Sequence, residues 1–75
     1  MAYSNEKELP DWLRPLVRQL SESEQKRFYM PHANIKRGRE IQETMVGVIA
    51  RMHARGVPEP RIMQQLRALA TNAWP

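Results

Sequence analysis

The chain has no cysteine, three glycines, one phenylalanine and no long apolar run, and each shortage removes a class of protein. Without cysteine there is no disulfide and no zinc-thiolate centre to brace a small fold, so packing or a partner must stabilise it. The absence also suits a reducing compartment. Three scattered glycines leave no room for the glycine-rich phosphate loops of nucleotide-binding folds. No stretch approaches the ~20 apolar residues needed to span a bilayer. The opening Met-Ala-Tyr-Ser-Asn-Glu-Lys-Glu is polar and of mixed charge, unlike a signal peptide. These features lead us to expect a soluble, cytoplasmic protein with no membrane partner.

At 75 residues and 41% hydrophobic content, the chain has material for one thin core. Its periodicity is helical throughout, which predicts an all-α fold, a small single-domain bundle of three to four helices. Residues 1–8 lack periodicity and are expected to be a disordered tail, with residues 9–75 forming the domain.

The organising feature is a hairpin from Ile41 to Leu69. Ile41, Met45, Val48, Ile49 and Met52 recur at helical spacing before a corner at Arg55-Gly56-Val57-Pro58. Ile62, Leu66, Leu69 and Ala73 recur at the same spacing after it. Gly56 should stop the first helix, and Pro58 and Pro60 suit the first turn of the second. Trp74 and Leu69 are placed to close over the core.

Ahead of the hairpin, Trp12, Leu13, Leu16, Val17 and Leu20 form an apolar stripe, with Pro15 pointing to a helix that begins near that residue after an irregular turn. Ser21 and Glu24 have capping-box spacing and predict a short helix to Phe28 or Tyr29. Pro31 ends it, and Met30–Asn34 reads as a connector with Asn34 as the next cap. The third helix, from about Ile35 to Arg55, should bury a stripe of Ile41, Met45, Val48 and Met52, with Gly38 and Ile49 on its shoulder. Arg37, Thr44, Arg51 and Arg55 would then run along one flank. Gly47, Ala50 and Ala54 lie on the far side, where small residues permit a close helix pairing and hence a homodimer.

Catalytic chemistry finds little support. His32 and His53 have no ligand partners at metal spacing, so no metal or cofactor is expected. Ser21 and Ser23 belong to a helix start, and no carboxylate pair suggests general acid-base work.

Charge points elsewhere. Residues 1–24 carry a net charge of −2, and the remainder carries +6. A positive field of this kind attracts a polyanion or an acidic protein surface. For DNA, the candidate contacts are Lys36, Arg37, Arg39, Arg51, Arg55, Arg61 and Arg67 on phosphates, with Gln64, and Gln65 beside it, on base edges. For a protein partner the large side chains Trp12, Phe28, Tyr29, Met30, Met63 and Trp74 are the candidate anchors.

The run from Met52 to Leu66 resembles the helix, glycine turn and helix of resolvase-type helix-turn-helix segments, with Gly56, Val57, Ile62 and Leu66 at the matching positions. The resemblance implies DNA binding and covers about a fifth of the chain. Met63 replaces the usual alanine, Arg67 stands where a second turn glycine is expected, and the eight residues that follow are too few for a separate recognition helix. Lys36-Arg37-Gly38-Arg39 resembles the Arg-Gly-Arg core of minor-groove hooks, with Glu40 in place of the usual proline. The functional expectation is a small regulatory binding protein acting in transcription or another nucleic-acid process. The alternative is an adaptor or inhibitor that docks on a larger complex without touching DNA.

Overall fold

The computed structural model describes residues 2–72. They form a 3-10 turn at Glu6–Glu8 and four helices, α1 (Arg14–Arg18), α2 (Glu22–Tyr29), α3 (Ile35–Ala54) and α4 (Glu59–Asn72), with no strand among the described residues. The Cα radius of gyration of 11.3 Å matches the ~11 Å of a compact chain of this length.

Local chemistry sets the boundaries. Pro15 occupies the first turn of α1, where its missing N–H costs nothing. Ser21 caps α2 through a complete capping box: its hydroxyl accepts from the Glu24 N–H at 3.2 Å, and the Glu24 carboxylate accepts from the Ser21 N–H at 2.8 Å. Asn34 caps α3 by accepting from the Arg37 N–H.

The far end of α3 closes in a Schellman turn. Gly56 adopts φ +75°, a left-handed conformation open to glycine without a Cβ penalty. The Gly56 N–H donates to the His53 carbonyl and the Val57 N–H to the Met52 carbonyl. Val57 and Met52 are both half-buried and packed against the core.

The core draws equally on both halves of the chain. Leu9, Leu13, Leu16, Val17, Leu20 and Phe28 meet Met45, Ile49, Ile62, Met63, Leu66 and Ala70. Helix α4 lies against both α2 and α3. The hairpin is therefore one wall of the core and the N-terminal arm is the other.

Two expectations change here. The buried line of α3 is Gly38, Gln42, Met45 and Ile49, rotated by about 60° from the expected stripe. Ile41, Val48 and Met52 are left half-buried on its edge. A polar residue at the centre of the seam displaced the pattern: Gln42 is 1% exposed. Its Nε2 donates to the Phe28 carbonyl at 3.1 Å and the Tyr3 carbonyl at 2.8 Å, and its Oε1 accepts from the Tyr3 N–H at 2.6 Å. Gly38 is buried because the connector crosses close by, and a Cβ there would stand 3.4 Å from the His32 carbonyl oxygen.

The second change concerns the segment expected to be a tail. Residues 2–8 lie on the bundle, tied by Gln42 to Tyr3, by Arg14 to the carbonyls of Glu6 and Leu9, and by an Arg18–Glu6 ion pair. A segment without periodicity can still be held when side chains elsewhere collect its backbone groups.

Two outcomes follow from these contacts. Gln42→Leu strands the Phe28 carbonyl and releases Tyr3, and should cost about 1–3 kcal/mol in urea denaturation, with faster amide exchange at Tyr3. Glu24 is held below its usual carboxylate range, chiefly by the Ser21 N–H; burial opposes this, while the Ser21 hydroxyl and the charges of Arg67 and Arg27 assist. Native Glu24 therefore gives up its proton more readily than the unfolded chain does. Its contribution is complete above the ordinary glutamate pKa and is lost as pH falls through the lowered value. A carboxyl NMR titration should show Glu24 below its usual midpoint, and Glu24→Gln should remove that part of the acid sensitivity.

Candidate nucleic-acid interface

The basic residues singled out by the sequence are all exposed, but the fold does not gather them in one place. Lys36, Arg37, Arg39, Arg51 and Arg55 project from or just beyond α3, and Arg61, Gln64 and Arg67 from α4. At about 100° per residue, Arg37, Thr44, Arg51 and Arg55 share a narrow flank of α3, while Arg39 stands about 160° around the axis from Arg37. The flank borders an apolar groove floored by Ile41, Met45 and Leu69, with Arg37, Glu40, Thr44 and Asn72 on its rim.

On α4 the division is similar. Ile62, Met63, Leu66 and Ala70 are buried, leaving Arg61, Gln64 and Gln65 on the outer surface. Arg67 is turned the other way and donates to the Gln19 carbonyl at 3.4 Å, beside the end of α1. Its guanidinium also helps hold Glu24 ionised. Arg67 thus has a structural use, and with Arg27, which donates to the Thr71 carbonyl, it forms a cationic side distinct from the α3 flank.

The electrostatics of the flank are simple. Ion pairs between described residues join Arg14 to Asp11 and Arg18 to Glu6, both in the N-terminal arm. Among the described residues, none of Lys36, Arg37, Arg39, Arg51, Arg55 or Arg61 is in an ion pair, and Lys36 does not pair with Glu40 one turn on. The flank from Arg37 to Arg55 spans about 27 Å at 1.5 Å per residue.

The expected protein anchors separate into core and surface. Phe28 is fully buried and Met63 is 4% exposed, so neither is presented to a partner. Trp12 and Tyr29 are half-buried, and Met30 is exposed. Trp74, like Ala73, lies outside the described residues. Phe28 packs edge-on against Tyr29 at 5.2 Å between ring centroids. Burial raises the Tyr29 phenol above its usual pKa, with a further push from the Glu6 charge. The small residues Gly47, Ala50 and Ala54 occupy the outer side of α3, the first two half-buried and Ala54 exposed.

One pairing had no sequence signal. Trp12 stacks on His53, with ring centroids 4.6 Å apart and planes 12° from parallel, joining the start of the N-terminal arm to the last turn of α3 across 41 positions. Only the fold brings them together.

Among the described residues no group of three His, Cys, Asp or Glu side chains is arranged to hold a metal ion, and no described helix is long and apolar enough to cross a membrane. Comparison with protein-family models, with curated proteins and with solved structures finds no match.

The stack can be tested directly. His53→Ala should lower stability by about 0.5–1 kcal/mol and change the Trp12 fluorescence. His53→Phe, which keeps a stacking ring, should restore most of the loss.

Proposed function

We propose that this protein is a small basic regulator of a nucleic-acid process, such as transcription, and that it binds duplex DNA through the flank of α3. The observation that carries the reading is the row Arg37, Arg51 and Arg55 on one exposed side of a 20-residue helix, each without an ion-pair partner among the described residues. Guanidinium groups on a rigid rod make charge-assisted contacts with phosphates at little conformational cost.

In this reading the corner at Gly56 serves as a helix-turn-helix-like element. Arg61 extends the phosphate track around the corner, and Gln64, whose side-chain amide can pair with the adenine edge, is the base-reading candidate on the outer face of α4. Lys36 and Arg39 add to the field that draws the polyanion in, and Arg67 contributes through its place in the fold.

The test is the salt dependence of binding to a short labelled duplex, followed by anisotropy. Three to four phosphate contacts predict a slope of log affinity against log salt of about −3. Arg51→Gln and Arg55→Gln should each weaken binding and flatten that slope by about 0.9. Gln64→Ala should change sequence preference and leave the slope unchanged. Absence of binding at about 50 mM salt would overturn the proposal.

A further inference from the structure

The side of α3 turned away from the arginine flank has a different character. Met30 is 57% exposed and Ile35 is 68% exposed, and these are the exposed large hydrophobics of the described chain. Isolated apolar side chains on a surface need no explanation. These two converge, since both line one cleft of about 270 Å3.

Three parts of the fold build that cleft. Tyr3 comes from the N-terminal segment, Tyr29 and the buried Pro31 from the end of α2 and the connector, and Gly38 and Arg39 from the first turns of α3. The Gln42 amide also lines it, but its hydrogen bonds go to Tyr3 and Phe28, so it makes no demand on a ligand. What the cleft offers is mainly aliphatic and aromatic surface, with Ser4 and His32 as further polar lining residues and Arg39 as the formally charged side chain among the described residues that line it. Lys36, also exposed, follows Ile35 on the helix.

This composition selects an occupant. A phosphate backbone would gain from Arg39 but would leave Met30 and Ile35 uncovered. A second copy docked cleft to cleft about a twofold axis would bring a second Arg39 and no carboxylate from the described lining residues. A protein segment with an aliphatic or aromatic anchor beside carboxylates satisfies both parts: the anchor enters between Met30 and Ile35, and a carboxylate accepts a bidentate pair of hydrogen bonds from Arg39. Methionine at the lip adapts to the anchor's shape.

We propose that the cleft bounded by Tyr3, Met30, Ile35 and Arg39 is a docking site for an acidic protein segment with an apolar anchor, on the opposite side of α3 from the arginine flank. The site does not depend on DNA binding, and its test separates the two. Protein carrying 13C-labelled Met and Ile methyl groups is titrated with a synthetic peptide that alternates Leu and Phe with Asp and Glu. The controls are the same peptide with Lys in place of its acids, and duplex DNA.

The acidic peptide should shift the Met30 and Ile35 methyls and the Arg39 side chain. Ile35→Ser and Arg39→Gln, both at exposed positions, should each weaken it by about tenfold. Arg51→Gln should leave its affinity within about twofold, since that charge is screened from the cleft. Equal binding of the lysine peptide, shifts confined to the α3 flank, or no Met30 and Ile35 response at millimolar peptide would each overturn the proposal. Displacement of the peptide by DNA from the same methyls would overturn it as well, and would assign the cleft to nucleic acid.

Discussion

A buried amide ties three parts of this chain together. Gln42 stands in the middle of α3 at 1% exposure, where an unpaired polar group would be costly. Its oxygen and nitrogen are satisfied by backbone groups of Tyr3 and Phe28. That requirement fixes the rotation of α3 about its own axis, the depth at which α2 ends and the path of the N-terminal segment. The aliphatic packing of the core would tolerate small sliding between these parts, whereas hydrogen bonds to two separate backbone sites do not.

The same constraint explains how the surface is divided. With the Gln42 line facing inward, Arg37, Arg51 and Arg55 fall on the side of α3 next to α4, and Ile35 and Arg39 fall on the side next to the N-terminal segment. Had the stripe of Ile41, Met45, Val48 and Met52 been the centre of the seam, the whole helix would be turned by about 60°, carrying the arginine flank inward toward the buried seam. A single glutamine therefore decides which charges border which cleft.

Much of the fold was legible because its signals are local. The capping box at Ser21, the Asn34 cap, the glycine stop and the proline starts each depend on residues within a turn of one another, and each helix end follows from them. The seam of α3 was less legible because hydrophobic periodicity gives no weight to a glutamine, so the buried line was drawn beside its true course. Phe28 and Met63, expected as partner anchors, belong to the core instead, because the N-terminal arm supplies half of that core and covers both. The Tyr3 strap and the Trp12–His53 stack join residues about 40 positions apart, and no local rule reports such contacts. The basic residues were legible as a population. Their division into an α3 flank, an Arg39 side and a structural Arg67 needed the fold.

The corner at Gly56 also bears on the unfolded chain. Pro58 and Pro60 have φ fixed before folding begins, and Pro58 disfavours helical backbone at Val57, which lies outside the helices in the folded chain. Fewer conformations are available to lose, so closing this corner costs less chain entropy than closing a flexible link of equal length. The α3–α4 pair is joined by a short connection, residues 55–58, so closing it costs little loop entropy. The corner thus favours the α3–α4 pairing, against which the arm from Leu9 to Phe28 packs to complete the other half of the core.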